Sequence, residues 1–224
     1  MSQAYHHAET TDALAASVLT LRPGVLIIDL QQRRRTLSSA PFGGGLVSNR
    51  YYAAYTVSND FYCDDVDTTI RTLLSREGLP SDVTTCVLTA VDVARYRVGD
   101  AIEMGVQATV YATVGLGNLS APGMTPLAPR RPGTINILAL VNAELPDAAL
   151  IEMVQIVTEV KARSIAGHST TEGFPATGTS TDTVTVALLP GPRQTYAGAV
   201  TPVGRALARA TDTALEKALS GKTA

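Results

Sequence analysis

Residues 105–117 place the strongest constraint on how this chain folds. Every second side chain there is small and apolar, namely Val106, Ala108, Val110, Ala112 and Val114, while Gln, Thr or Tyr stands between them. Successive side chains of a strand point to opposite faces, so this alternation predicts a strand with one apolar and one more polar face. The apolar face has to be buried, so the strand belongs to a sheet covered by helices or by a second sheet.

Apolar runs bounded by turn residues indicate further strands at residues 25–30, 51–57, 83–91, 133–141 and 183–188. Two segments stay open: residues 13–21 form a short helix or a first strand, and residues 36–40 form a hairpin or a bulged continuation of the strand before them. Residues 115–132 are rich in Gly and Pro. Since structureless loops of this length are unusual in compact domains, we expect a lid or substrate loop there.

Three helices are signalled by their ends. Asp64-Asp65 precedes the first, which Gly78 stops; Pro146 opens the second, which Gly167 ends; Thr201-Pro202 begins the third. The order of strands and helices predicts an α/β (or α+β) fold, with a mixed β-sheet packed by helices. We expect residues 13–224 to form a single domain and residues 1–12, with His6-His7, to be a loose N-terminal arm.

Composition narrows the functional classes. The chain has 224 residues, 45% of them hydrophobic and 17% charged, so it can bury a sizeable core. Its net charge of -2 gives no basic excess for binding nucleic acid. Arg33-Arg34-Arg35 is a short basic run that suits a solvated strand end better than a phosphate site.

The sequence contains few features that indicate a cellular compartment or a metal site. No apolar run approaches the roughly 18 residues of a membrane span, no secretory signal is evident, and Cys63 and Cys86 are the only cysteines. We therefore expect a cytoplasmic protein with reduced thiols, and a buried structural thiol at Cys86. Outside the arm the only histidine is His168, and no zinc spacing occurs; a carboxylate-only magnesium site stays open. No motif in the sequence assigns a cofactor.

Residues 176–183 concentrate hydroxyl groups ahead of a buried strand. They contain five Thr or Ser, Gly178 and Asp182. Such a loop can present backbone N–H groups and hydroxyls to a ligand, or it can be a turn that only links two elements. The spacing alone does not decide between the two.

The same loop begins a resemblance to a known family. The run from Ala176 to Asp182, then Tyr196-Ala197-Gly198, then Thr201 and Gly204, resembles the C-terminal signature of the adenosylcobinamide amidohydrolases (CbiZ) of corrinoid salvage. Further matching motifs are Leu37-Ser38-Ser39-Ala40, Gly43-Gly44-Gly45, Asn49-Arg50, Thr113 to Asn118, and Gly133-Thr134-Ile135-Asn136. They follow one another in order from about residue 30 to residue 210. One departure is Glu159-Val160-Lys161, where the family pattern has Glu-Ala-Lys.

The resemblance implies a reaction and a substrate. It implies hydrolysis of the amide between the aminopropanol arm and the corrin ring of adenosylcobinamide, which gives adenosylcobyric acid for cobalamin salvage. A corrinoid is large, flat, partly apolar and rich in amides. Backbone, amide and aromatic groups around one cavity suit it, so we expect these lining residues: Ser38, Ser39, Gly43, Gly44, Gly45, Asn49, Asn136, Gly178, Tyr196 and Gly198. The three consecutive glycines also fit a flexible turn.

Amide hydrolysis requires a nucleophile or activated water, a proton donor and oxyanion donors. We assign the hydroxyl role, as nucleophile or in orienting the substrate, to Thr179, Ser180 or Thr181. Asp182 or Glu159 is the expected base, with His168 as an alternative, Lys161 the proton donor or oxyanion stabiliser, and amides near Gly178 the oxyanion hole.

Helical periodicity separates two of these candidates. At about 100° per residue, Lys161 falls on the apolar stripe of the second helix and Glu159 on the opposite face. Lys161 must therefore extend to solvent or meet a carboxylate such as that of Asp182.

Two other functions remain open: a corrinoid-binding or metabolite-binding protein without turnover, and a hydrolase of a different amide. The sequence does not fix the oligomeric state, and a homo-oligomer is compatible with it.

Overall fold

The computed structural model describes residues 17–127 and 134–221, so the expected arm and the end of the expected lid loop lie outside the described residues. The strands within these residues are β1 Val18–Arg22, β2 Val25–Ser38, β3 Gly45–Thr56, β4 Thr84–Thr89, β5 Arg97–Glu103, β6 Val106–Val114, β7 Leu119–Ser120, β8 Ile135–Glu144, β9 Gly178–Thr179 and β10 Thr183–Arg193. The helices are α1 Val66–Arg76, α2 Asp147–Ser164 and α3 Pro202–Ser220.

Eight of the strands form one mixed sheet. Its order is β4-β3-β2-β10-β8-β6-β5, and β1 pairs with the first half of β2. The pairs β3/β4 and β10/β8 are parallel and the other pairs are antiparallel. The prediction of a mixed sheet packed by helices is confirmed. The short strands β7 and β9 pair separately and join the loop after β6 to residues 176–183, the Thr-rich loop.

Strand β2 is long because it pairs with two different strands along the same edge. Its first half pairs with β1 and its second half with β10, and the register against β3 shifts between Asp29 and Arg34. Gln31 has a φ of 62° at this bulge, and its N–H donates to Oδ1 of Asp29 at 2.7 Å. The open alternative for residues 36–40 is thus resolved as a bulged continuation. Of the alternatives for residues 13–21, the structure has a first strand from Val18, while residues 13–16 lie outside the described residues.

The sheet curls on itself. Tyr52 of β3 and Tyr111 of β6 line the same small cavity, although β2, β10 and β8 lie between those strands. Apolar side chains from β2, β3, β4, β6, β8 and β10 meet inside this curl in one cluster. The curl also covers the second, more polar face of β6, so Thr109, Tyr111 and Thr113 are all buried.

The helices cover the other side of the strands. Helices α2 and α3 pack on β5, β6, β8 and β10, where residues such as Val110, Ile137 and Val186 meet Met153 and Leu207. Helix α1 buries Ile70 and Leu74 against β3 and β4 in a cluster that also contains Cys86. No helix in the described part of the chain has the length and apolar character that crossing a membrane requires.

Several boundaries differ from expectation. Strand β3 begins at Gly45, so Asn49 and Arg50 lie within it and not at its entrance. Helix α2 ends at Ser164, three residues before Gly167. Strand β5 was not predicted; it forms a hairpin with β6 through Met104 and Gly105, whose φ values are 49° and 82°.

Candidate active site

The carboxylate of Asp182, one residue before β10, is the most extensively bonded group in the Thr-rich loop. Its Oδ1 accepts the N–H of Ile135 at 3.0 Å and the hydroxyl of Thr179. Its Oδ2 accepts the N–H of Thr179 at 3.0 Å and the ammonium of Lys161. The side chains of Lys161 and Asp182 are 9% and 10% exposed. A buried ion pair is tolerated when hydrogen bonds satisfy its remaining lone pairs, and here they do.

Helix α2 positions Lys161 from its last turn. The residue lies on the buried stripe with Leu150, Met153 and Val157, as the helical periodicity predicts. Of the two alternatives for this lysine, the structure has it meeting a carboxylate and not extending to solvent. A cation in the last turn also interacts favourably with the helix dipole.

Gly178 leaves the space in which the ion pair forms. A Cβ atom at this position would lie 2.5 Å from Oδ2 of Asp182 and 2.8 Å from Nζ of Lys161. Any side chain would therefore displace one of the two charged groups. Gly178 is itself fixed by pairing with Ser120 of β7.

The three candidate hydroxyls have different surroundings. Thr179 is buried and its hydroxyl donates to Asp182. Ser180 is exposed, and its Oγ accepts a hydrogen bond from Nδ2 of Asn118 at 2.8 Å. The carbonyl of Thr181 accepts the hydroxyl of Thr134 at 2.7 Å. Thr179 therefore contacts the carboxylate directly, whereas Ser180 and Thr181 line the cleft described next.

A cleft of about 420 Å³ opens beside this loop, and its two walls differ in chemistry. The polar wall consists of Ser39 and residues 180–183. The apolar wall consists of Pro41, Val57, Phe61, Val66 and Leu88. The volume lies within the range of about 300–1,000 Å³ that is usual for small-molecule sites.

The segment after β2, residues 39–42, closes one end of this cleft. The N–H of Ser39 donates to the carbonyl of Val184, and the N–H of Val184 donates to Oγ of Ser39, both at 3.0 Å. Phe42 then forms a bridge with Cys86 of β4. Ser38 lies behind this segment, with its Oγ 2.7 Å from Oγ1 of Thr185.

Asn136 supports the Thr-rich loop from below. Its Oδ1 accepts the hydroxyl of Thr183 at 2.7 Å, while its Nδ2 is buried without a hydrogen-bond partner. Thr113, its register neighbour in β6, has a buried Oγ1 that also lacks a partner. Both residues line an internal cavity of about 10 Å³, roughly the minimum volume for one water molecule.

The glycine-rich turn and Asn49 lie outside the lining of the cleft. Nδ2 of Asn49 donates to the carbonyl of Gly43 at 3.1 Å and to Oγ1 of Thr85 at 2.8 Å. A Cβ atom at Gly43 would lie 2.0 Å from the carbonyl oxygen of Thr84, and one at Gly44 would lie 2.3 Å from that of Ala40. These residues pack the turn against β4, and Gly45, with a φ of 85°, is exposed.

Four further candidates lie away from Asp182. Glu159 and His168 are exposed, as the opposite helix face predicts for Glu159. Tyr196 and Gly198 follow the far end of β10, where the N–H of Ala197 donates to Oε2 of Glu152 on α2, and neither residue lines the cleft. This corrects the expectation of one common cavity. The carbonyl of Gly198 instead accepts the N–H and hydroxyl of Thr201, the N-cap of α3.

The apolar wall was missed because its members come from different elements. Phe61 and Val57 lie in the segment between β3 and α1, Val66 begins α1, and Leu88 is in β4. The one local signal was the aromatic pair Phe61-Tyr62 in the polar segment before the helix cap Asp65. Within the described ranges, no group of three or more His, Cys, Asp or Glu side chains is arranged to hold a metal ion.

Comparison with known structures shows the fold. The PH0078 protein from Pyrococcus horikoshii OT3 superposes with a TM-score of 0.50 at 10% identity, covering 90% of this chain and 78% of that one. A beta-aminopeptidase from Burkholderia sp. is less similar, with a TM-score of 0.47 at 12% identity, covering 89% of this chain and 79% of that one.

Sequence comparison gives the family. A protein of Halobacterium salinarum described as an adenosylcobinamide amidohydrolase is 33% identical over 214 residues, which are 92% of this chain and 88% of that protein. The model of the adenosylcobinamide amidohydrolase family, CbiZ, matches residues 8–224. The chain therefore belongs to the adenosylcobinamide amidohydrolase family.

Proposed function

We propose that this protein hydrolyses the amide between the aminopropanol arm and the corrin ring of adenosylcobinamide, which yields adenosylcobyric acid and free aminopropanol. Family membership and the name of the Halobacterium relative support the reaction. The observation that carries the proposal is the arrangement of Thr179, Asp182 and Lys161 beside a cleft with one polar and one apolar wall.

The proposed nucleophile is the hydroxyl of Thr179. A nucleophilic hydroxyl typically donates to a base that a third group orients, and Asp182 and Lys161 stand in that relation to Thr179. Thr179 Oγ1 attacks the amide carbon while Asp182 accepts its proton. The C–N bond breaks as the leaving amine takes a proton from Lys161, and water then hydrolyses the acyl-threonine ester.

Positioning the substrate is proposed for the rest of the loop. Ser180 and Thr181 line the cleft, so they are suited to bonding the substrate amide. The N–H groups of Thr177, Thr179 and Ser180 already donate to Ser120, Asp182 and Asn118, so they are not free to bind an oxyanion in this arrangement. The ammonium of Lys161 is therefore the proposed stabiliser of the charge that develops on the carbonyl oxygen. Glu159 has no part in the proposal because its side chain is exposed on the other face of α2.

The second candidate is a corrinoid-binding protein without turnover. One observation favours it: Asp182 accepts four hydrogen bonds and Lys161 is almost enclosed, as in an ion pair that only holds the loop. The same cleft would then bind a corrinoid without cleaving it.

Mass spectrometry of a reaction with adenosylcobinamide tests the proposal. We expect adenosylcobyric acid and aminopropanol from the purified protein, and none from an Asp182→Asn variant whose folding is intact. A shift in the corrinoid absorption spectrum without product would favour the binding protein. Neither product nor shift would mean that the substrate differs from that of the family.

We also propose that residues 13–224 act as one amidohydrolase domain in the cytoplasm. The continuous sheet supports the first part within residues 17–221. Both cysteines are free, which suits a reducing compartment.

A further inference from the structure

We infer that the apolar wall of the cleft is the subsite for the corrin ring, with Phe61 as its main contact and the amide arm directed towards Asp182. This inference rests on the proposed function and names how the substrate is oriented in the same site. The wall consists of Pro41, Val57, Phe61, Val66 and Leu88.

The separation of the two walls carries the inference. The hydroxyl groups and the carboxylate of the cleft belong to Ser39 and residues 180–183, next to β10, while Val57 and Leu88 come from the β3 and β4 side of β2, and none of the apolar lining residues carries a charge. A ligand that is polar on all sides would leave the apolar wall without a matching partner. A ligand with an apolar ring face and an amide on one arm matches both walls at once.

Phe61 is the aromatic side chain that lines this cleft within the described residues. It is half-buried, so part of the ring remains available to a ligand. Aromatic rings bury a large apolar area and stack in offset geometry against flat ligands. Val66 extends the wall as the first residue of α1, where it is 37% exposed, and the ligand would cover it.

The size of the cleft fixes which part of the substrate enters. Its volume of about 420 Å³ lies near the lower end of the range for drug-sized ligands, and an adenosylated corrinoid is larger than those. The arm with its amide therefore enters towards the Thr-rich loop. The ring rests against the apolar wall and extends beyond the opening.

A competing surface lies at the other end of the sheet. Tyr196, in a motif that the family resemblance includes, is 64% exposed there, and the nearby Val200 is 91% exposed. Neither residue lines the cleft, and the neighbouring Ala197 N–H donates to Oε2 of Glu152, which lies about 14 Å from Lys161 along α2.

The chain contains no tryptophan, so Phe61→Trp and Tyr196→Trp each introduce a single fluorescent reporter. Corrinoids absorb where tryptophan emits, and energy transfer falls steeply with distance. On titration with adenosylcobinamide we expect much stronger quenching for the reporter at 61 than for the one at 196. Equal quenching, stronger quenching at 196, or none at either position would overturn the inference.

Kinetics provide an independent test with a matched control. We expect Phe61→Ala to raise KM for adenosylcobinamide about tenfold, as loss of an aromatic anchor does, with kcat little changed. Tyr62→Ala makes a comparable aromatic-to-alanine change at the next residue, which is 81% exposed and does not line the cleft, and it should leave KM unchanged.

The two tests separate this inference from the proposed function. Quenching at position 61 without product would uphold the ring subsite and reject the hydrolase. Product formation by the wild-type protein, with unchanged KM in Phe61→Ala and no preferential quenching at position 61, would uphold the hydrolase and reject the ring subsite.

Discussion

Lys161 and Asp182 form an ion pair although 21 residues separate them and each side chain is about nine-tenths buried. The pair joins the end of α2 to the start of β10, and Gly178 provides the space in which it forms. Two buried charges stabilise a fold only while both are present, because either one alone is left without compensation.

Replacing Lys161 by Ala should therefore lower the free energy of unfolding by about 3–5 kcal/mol. Arg163→Ala is the matched control, since Arg163 is two residues away and pairs with Asp212 at the surface. An exposed pair contributes about 0–1 kcal/mol. Urea unfolding of both variants measures the difference, and equal losses would contradict the structural importance of the buried pair.

Removing the hydroxyl of Thr179 should abolish most turnover. Thr179→Val keeps the shape of the side chain but removes the group that donates to Asp182, so we expect kcat to fall at least about 100-fold. Thr179→Ser retains the hydroxyl and should retain much of the activity. Product formation measured by mass spectrometry checks both. Near-normal turnover in Thr179→Val would move the attack to a water molecule or to Ser180 or Thr181.

Thr113 and Thr183 should respond differently to replacement by valine. The hydroxyl of Thr183 donates to Asn136 at 2.7 Å, and its loss should cost about 1–2 kcal/mol. The buried hydroxyl of Thr113 lacks a partner, so Thr113→Val should be neutral or slightly stabilising. Thermal unfolding of the two variants tests this. An equal loss at Thr113 would instead indicate an internal water bonded to Thr113 and Asn136.

Features that depend on a single helix or strand could be predicted from the sequence. The Thr201-Pro202 start of α3 and the position of Lys161 on the buried stripe of α2 depend on local capping and on helical period, and both match the structure. The sequence predicted the pairing of Lys161 with Asp182 as one of two alternatives, the other being extension of the lysine to solvent. A lysine on a buried stripe needs one or the other.

Features that depend on several elements could not be derived in the same way. Alternation in β6 shows which side chains share a face, but not that the sheet curls and covers the second face, including Thr109 and Thr113. The positions of Tyr196 and Phe61 depend on which ends of strands meet. Tyr196 lies beyond the end of β10 that is opposite to Asp182, while Phe61, in the segment before α1, lines the cleft.

The pair formed by Asp29 and Arg50 should make stability depend on pH. The two hydrogen bonds from the Arg50 guanidinium, each 2.8 Å long, hold the pKa of Asp29 below its ordinary value of 3.8. Because the pKa of Asp29 is lower in the folded state than in the unfolded state, the unfolded state binds more protons at pH values between these two pKa values. The contribution is present above pH 3.8 and is lost as the pH falls through the folded pKa.

The test of this pair compares wild type with Asp29→Asn in urea unfolding across a pH series. The variant should be less stable at pH 7, and the difference should shrink below pH 3.8. Arg50→Gln should show the same trend, since it removes the partner that lowers the pKa. A difference that is constant with pH would mean that folding does not change the pKa of Asp29, and it would contradict the effect of Arg50 on that pKa.

The two cysteines should differ sharply in reactivity. Cys86 is fully buried in β4, and burial raises the pKa of its thiol well above the ordinary value of 9.0. Thiol reagents react with the thiolate, so Cys86 should react only on unfolding. Cys63 lies half-buried in the segment before α1 and should react in the native protein. A chromogenic disulfide reagent should therefore react with one thiol in the native protein and with two thiols after denaturant is added. In the Cys63→Ser variant, no thiol should react before denaturant is added. Fast reaction of both thiols in the native protein would show that β4 opens readily.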